Sequence, residues 1–234
     1  MSKLHLCKYR FGLTGTLDDL QTHKLVLEGL FGTVNKVIST KELIEKKTLA
    51  NLKIDSLILG YKEQECKDVK NLKYADEMDY IVTHKKRLSF ITNLLGNVKG
   101  NVLVLYQFVE KHGKPLYDTI KEKYKNRNVF FVSGSVDALD REKIREISEK
   151  TNNAVIVASY GTFSTGINIK NLHNIIFSSP SKSKIRVLQS IGRGLRLNDN
   201  KEMCKLFDIA DDLTHKGKQN FTLRHFMERI NIYN

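Results

Sequence analysis

Five short apolar runs, at 102–106, 129–132, 154–159, 174–177 and 205–209, constrain this chain more than any other feature. Each ends in small or polar residues, and between them lie stretches with apolar residues at helical spacing, at 114–125, 137–150 and 183–195. Runs that are apolar without alternation need cover on both faces, and parallel neighbours need a crossover long enough to hold a helix. The pattern predicts an α/β fold, a right-handed parallel sheet with helices on both faces. Ser135 and Asp137 are candidate caps for the helix at 137–150, whose apolar residues include Leu139, Ile144 and Ile147. Residues 221–230 read as a closing helix with Leu223, Phe226 and Ile230 on one face.

Upstream the rhythm is weaker. Residues 10–14 read as a strand end, 19–30 as a helix closed by Gly32, and Ser39 with Glu42 as a capping box. Residues 57–61 alternate like a further strand, and 76–95 read as one longer amphipathic helix burying Ile81, Leu88, Ile91, Leu94 and Leu95. The first forty residues carry too little apolar surface for a sheet of their own. The expected organisation is therefore a tail of a preceding domain at 1–40, a connector strand and helix at 41–94, and one complete domain at 95–234.

Charge narrows the partners. The 39 Lys and Arg against 26 Asp and Glu leave +13, far more than solubility requires, and such a field attracts polyanions. Nucleic acid leads, with a polybasic membrane-surface protein as the alternative that charge alone leaves open. Cys7, Cys66 and Cys204 lie far apart with no paired spacing, which offers neither a disulfide framework nor a zinc knuckle and fits a reducing cytosol. No apolar run approaches the roughly 18 residues of a membrane span, and Met1 to Arg10 lacks a signal peptide's apolar core, so no membrane partner is expected.

The most specific segment is Gln189-Ser190-Ile191-Gly192-Arg193-Gly194-Leu195-Arg196. Spacings of four and three put Gln189, Arg193 and Arg196 on one helical face. Two glycines in one turn cost about 1 kcal/mol each against alanine, which implies a close approach of backbone or ligand. A planar guanidinium fits phosphate bidentately and can stabilise charge on a transferred phosphoryl group. A basic helix end complementing its own dipole is the plainer reading, but it explains neither the glycines nor the glutamine. A second segment, Ala158 to Asn168, runs from a buried strand into small and hydroxyl-bearing residues at the sheet edge where open αβ sheets bind ligands. Its hydroxyls and N–H groups can hold phosphate oxygens without reading bases.

Some chemistry is missing from the sequence. Gly113-Lys114 meets Pro115 and Gly217-Lys218 meets Gln219, so no phosphate-cradling Gly-Lys-Ser/Thr loop occurs. Asp76-Glu77-Met78-Asp79 imitates an Mg-binding acidic box but follows no buried strand, and reads as acidic residues favouring a helix start. The histidines have no metal-ligand spacing, and no metal residues are assigned.

Gln189 to Arg196 resembles motif VI of superfamily-two helicases, and three further segments fall in that family's order. Ala158-Ser159-Tyr160-Gly161-Thr162-Phe163-Ser164-Thr165-Gly166-Ile167-Asn168 resembles motif V, Val104-Leu105-Tyr106-Gln107-Phe108 motif IV, and Gly12-Leu13-Thr14-Gly15-Thr16 motif III. The segments 157–166 and 182–185 are most similar to the phage recombination branch. The resemblance implies a RecA-like second motor domain preceded by a fragment of the first. It implies ATP and Mg as cofactors, bound mainly by a first motor domain that is a required partner. Branched DNA would be the substrate, and the cytoplasm, that of the host for a phage protein, the location. Residue by residue, it implies that Arg193, Arg196 and Gln189 act on ATP phosphates and that Gly166 and Asn168 face the nucleotide. Thr162 and Ser164 would touch the DNA backbone, while Thr14 and Thr16 couple the two. The family commonly has aspartate where Asn168 stands, so a carboxylate–ribose contact is replaced by an amide at best. Ser133 and Gly134, between a strand and a helix, are candidate phosphate binders at a helix N-terminus. The rival from another class is a non-enzymatic DNA-binding or strand-annealing module derived from a split helicase, and the motifs do not distinguish DNA from RNA.

Overall fold

A computed structural model describes residues 7–14, 21–166, 169–181, 190–197 and 201–233. Two helices open the chain, α1 (Gln21–Phe31) and α2 (Thr40–Glu45). Then follow β1 (Asn51–Gly60), α3 (Glu63–Val69), α4 (Tyr74–Thr83), α5 (Lys85–Leu94), β2 (Val102–Tyr106), α6 (Lys114–Lys123), β3 (Asn128–Val132) and α7 (Ala138–Lys150). The chain closes with β4 (Ala154–Ser159), α8 (Tyr160–Gly166), β5 (Asn174–Phe177), helical residues 190–194 (α9), β6 (Met203–Asp212) and α10 (Phe221–Tyr233).

The six strands are all parallel, in the order β1-β6-β5-β2-β4-β3. β2, β4 and β5 are buried along their length, apart from a partly exposed Ser159, because helices cover both faces. On one face Ile91 and Leu95 meet Leu116 and Ile120 of α6 over Val104 and Val157. On the other, Ile144, Phe163, Ile191 and Leu195 pack over Leu105, Ile156 and Ile175. This is the parallel α/β arrangement expected from the apolar rhythm, and it fits the RecA-like fold that the resemblance implied.

Several local expectations are corrected. The strand placed in a connector is the edge strand of the same sheet, β1 pairing with β6 from Asn51↔Met203 to Gly60↔Asp212. The single helix expected at 76–95 is two, broken at His84, whose backbone is extended (φ −70°, ψ 117°) and whose ring caps α5 by accepting from Arg87 N. Residues 10–14 form no strand. In α7, Ile144 is buried, but Leu139 is 77% exposed and Ile147 39%. Asp137 alone caps that helix, accepting from Asp140 N at 2.8 Å, while Ser135 bonds Ser133 instead. The Ser39–Glu42 capping box and the Gly32 stop of α1, at φ +87°, form as read.

Candidate functional site

The C-terminal ends of β2, β4 and β5 gather a hydroxyl-rich edge. Ser159 caps α8, its Oγ accepting from Thr162 N at 3.1 Å and lying 2.8 Å from Thr162 Oγ1. Thr162 is therefore buried with its hydroxyl engaged, while Ser164 and Gly166 lie on the same helix. Ser179, after β5, is a junction: its Oγ accepts from Gln107 N at 3.1 Å and contacts His112 Nδ1 at 2.8 Å, and its carbonyl accepts from Tyr160 Oη at 2.9 Å. Burial, with the Arg87 charge beside it, pushes the His112 imidazole down to about 3, so it is neutral here. Tyr106 stacks on Phe131 with ring centroids 5.5 Å apart and is fully buried, which makes it core and not a platform for a base.

Ser133 and Gly134 sit three residues short of α7. Ser133 is buried with its Oγ 2.7 Å from Ser135 Oγ, Gly134 is exposed, and the helix N-terminus is already occupied by Asp137. The helix N-terminus at which a phosphate was expected is thus filled by the chain's own Asp137. Arg141, one turn inside α7, donates to Gly134 O at 3.2 Å, and its buried Nε has no partner among the described residues.

Opposite this edge, α9 carries the arginines. Leu195 and Arg196 lie past its last helical residue, so the strict one-face reading of Gln189, Arg193 and Arg196 does not hold for Arg196. The Arg196 charge nevertheless acts on Arg193. Burial lowers the Arg193 pKa and the Arg196 charge lowers it further, leaving the group cationic. The Arg193 guanidinium lies over the Phe163 ring at 5.2 Å, which joins α9 to α8, the second hydroxyl-rich segment. Arg196 Nη1 is buried with no partner among the described residues.

The two glycines divide. A Cβ on Gly194 would meet Ile175 Cδ1 at 2.6 Å and Cys204 Sγ at 2.8 Å, so the close approach is to the sheet. A Cβ on Gly192 would meet nothing within 4 Å. Lys201, 3% exposed, closes the helix end from below, donating to Gly194 O at 2.8 Å and Lys170 O at 3.0 Å. Its burial lowers its pKa, and no sequence spacing pointed to it. Thr14 is exposed; Thr16, Asn168, Gln189 and the segment 182–185 lie outside the described residues.

The carboxylates of the acidic run and of β6 are engaged with other parts of the fold. Glu77, 2% exposed, accepts from Phe221 N, Thr222 N, Thr222 Oγ1 and Asn220 Nδ2, capping α10 rather than only favouring its own helix. Asp79 pairs with Lys111, Asp208 with Arg229 and Asp211 with Arg87. No group of three or more metal-ligating side chains stands together among the described residues.

Fold and site define a second RecA-like motor domain. Residues 86–198 match the helicase conserved C-terminal domain family, and the chain belongs to the superfamily-two helicases as their C-terminal half. It is similar to the ATP-dependent DNA helicase uvsW of Enterobacteria phage T4, at 35% identity over 246 residues covering 100% of this chain and 48% of that protein. The crystal structure of T4 UvsW superposes with a TM-score of 0.68 at 34% identity, covering 88% of this chain and 42% of that one. The probable helicase D10 of Escherichia phage T5 is 26% identical across 99% of this chain and 48% of its own length. The chain thus spans about half the length of these curated relatives.

Proposed function

We propose that this chain is the C-terminal motor half of an ATP-dependent DNA helicase that translocates on branched or recombination-intermediate DNA and remodels it. Its share of the work is to supply arginine fingers to ATP and backbone contacts to DNA. The observation that carries this reading is the end of α9, where the Arg196 charge acts on a partly buried Arg193 and a buried Arg196 nitrogen has no partner among the described residues. Two like charges held together at partial burial repel, and an anion between them reverses the sign of that interaction. Phosphoryl transfer spreads negative charge over equatorial oxygens, and guanidiniums aimed there stabilise it without covalent chemistry.

In this scheme ATP and Mg are held by a first motor domain, and closure brings Arg193 and Arg196, with Gln189, to the phosphates. Gly166 and Asn168 face the nucleotide. Ser133, Gly134, Thr162 and Ser164 line the DNA backbone path, and Arg141 adds a cation beside Gly134. The Arg193–Phe163 contact supplies a mechanical link, because α8 carries the DNA-side segment and α9 the ATP-side arginines. Thr14 and Thr16 would couple the first domain to the same cycle. The net charge of +13 supports binding with little sequence preference.

The test uses a protein carrying both motor domains. Arg193→Ala and Arg196→Ala are each expected to lower DNA-stimulated ATP turnover on the order of a thousandfold while DNA affinity changes little. Normal turnover in both variants would make these arginines structural and leave the annealing-module reading standing. The 234-residue chain alone is expected to bind DNA without hydrolysing ATP; turnover that Arg196→Ala abolishes would reveal a nucleotide site elsewhere in it.

A further inference from the structure

We propose that the turn joining β6 to α10, together with the facing end of α3, forms a second nucleic-acid contact that grips the phosphate backbone through Lys70, Lys218 and Arg224. The inference rests on the DNA-motor reading and adds to it a contact lying outside all the segments that carried it.

The backbone of the turn is fixed by its own hydrogen bonds. His215 and Lys218 exchange both backbone hydrogen bonds, at 3.1 and 3.0 Å, across a tight two-residue bend. Both central residues have left-handed backbone, Lys216 at φ 47° and Gly217 at φ 80°. Gly217 takes that conformation freely, whereas a lysine there is unusual and marks a bend imposed by its surroundings. The base of the turn is locked by Asn220, which accepts from Leu213 N and donates to Asp211 O, Glu77 Oε1 and Thr222 Oγ1.

Beside this bend lies a cleft of about 370 Å³, lined by Lys70, Glu77, Lys218, Asn220, Phe221 and Arg224 among others. Its cations come from three separate elements: Lys70 caps the end of α3, Lys218 closes the turn, and Arg224 extends from the first turn of α10 with its guanidinium 4.7 Å from the Phe221 ring. None of Lys70, Lys216, Lys218 or Arg224 is ion-paired among the described residues. The nearby carboxylates are already committed, Glu77 to four donors of α10 and its turn, and Asp212 Oδ1 to Thr214 N at 2.9 Å. Those bonds leave the carboxylates charged, but the lining holds three cations, Lys70, Lys218 and Arg224, against Glu77, so the opening is net positive.

The identity of the ligand follows from that layout. With the free N–H groups of α10 taken by Glu77, a small anion finds no helix-terminus cradle. Flexible cations spread around an open cleft suit an extended polyanion, whose successive phosphates each need one charge and no fixed geometry. The cleft lies beyond the C-terminal end of β6, next in the sheet to β5 and on the same edge as the ends of β2 and β4. A strand crossing Thr162 and Ser133 can be continued along that edge.

The experiment compares two triple variants of the full chain with equal charge change. Lys70→Gln, Lys218→Gln and Arg224→Gln are combined in one. Lys121→Gln on α6, Lys125→Gln in the turn after it and Lys150→Gln at the end of α7 are combined in the other. Affinity for labelled single-stranded and forked DNA is read across a salt series, after circular dichroism has verified the fold. The first variant is expected to lose about tenfold or more in affinity, and its salt slope to fall by about two units, since each lost phosphate contact removes roughly 0.7–0.9. The control should lose little of either. The single variant Lys218→Glu should weaken binding in the same direction, which guards against misfolding of the triple. Equal affinities and slopes for the two triples would overturn the cleft proposal while leaving the motor reading intact. Absence of salt-dependent DNA binding by the unmodified chain would overturn both. Release of DNA from the unmodified chain by low millimolar inorganic phosphate at constant ionic strength, unmatched in the cleft variant, would overturn the polyanion assignment in favour of a small-anion site.

Discussion

Two arginine environments in this molecule differ in one respect, and the difference separates architecture from chemistry. Arg229 of α10 is 2% exposed and saturated: Nε and Nη2 donate to both oxygens of Asp208 at 2.8 Å, Nη1 donates to Ser181 O at 2.8 Å, and Tyr233 Oη completes the carboxylate at 2.6 Å. Hydrogen bonding to Asp208 raises the pKa of Arg229 against the opposing effect of burial. Arg193 and Arg196 instead act on each other as like charges, the pKa of Arg193 lowered by burial and by the Arg196 charge, and a buried nitrogen of Arg196 has no partner among the described residues. The Arg229 guanidinium has three of its five donors engaged and its charge compensated within the fold. A guanidinium set against a like charge has a standing electrostatic reason to receive an anion.

The largest expected effects test that contrast directly. Asp208→Ala strands a buried guanidinium and should cost about 3–5 kcal/mol in a denaturant melt. Arg196→Ala should leave the melt within about 0.5 kcal/mol of the parent, because it removes a charge the fold does not use. Comparable melts for the two variants would dissolve the distinction.

Next in size is the neutral His112, which lies with the Arg87 charge on the other face of β6. Its unfolded-state value near 6.5 exceeds the folded value of about 3, so between those limits the unfolded chain binds the extra proton. Its contribution is complete above pH 6.5 and is lost as pH falls toward 3, at up to about 1.4 kcal/mol per pH unit. Melts of the parent and of His112→Gln at pH 6.5 and pH 5 should converge by that amount; parallel curves would mean the imidazole is accessible to solvent.

The smallest effect sharpens the comparison within α9. Gly194→Ala drives a methyl into Ile175 and Cys204 and should cost about 1–3 kcal/mol. Gly192→Ala meets open space and should add about 0.5–1 kcal/mol from helix propensity. If the Gly192 variant with both motor domains is more stable yet slower in ATP turnover, that glycine is kept for what approaches it from outside.

Much of the sheet was legible because its interior strands are apolar on both sides. The runs at 102–106, 154–159 and 174–177 coincide with β2, β4 and β5. β1 was harder to place: its half-buried pattern is that of an edge strand, and nothing local says which sheet it joins. The helix break at His84 was hidden by an apolar periodicity that continues through it. Of the candidate site, the Gln189–Arg196 pattern stood out by residue type and spacing. Lys201 and Arg141 did not, since a lone lysine or arginine acquires meaning only from what it touches.

The sequence by itself determined the parallel α/β class, the order of the motif-like segments and the excess of positive charge. These are one-dimensional properties, written in periodicity, residue type and count. Tertiary structure decided which charges are spent. Asp208 and Asp211 are three residues apart on β6, and strand alternation turns them to opposite faces, where helices distant in sequence supply Arg229 and Arg87. Glu77, in an acidic run that imitates a metal box, is consumed by the N-terminus of a helix more than 140 residues away. Lys70, Lys218 and Arg224 are brought around one cleft without a carboxylate of their own. Whether a charge is neutralised depends on distances between elements, and those are fixed only when the sheet closes its layers.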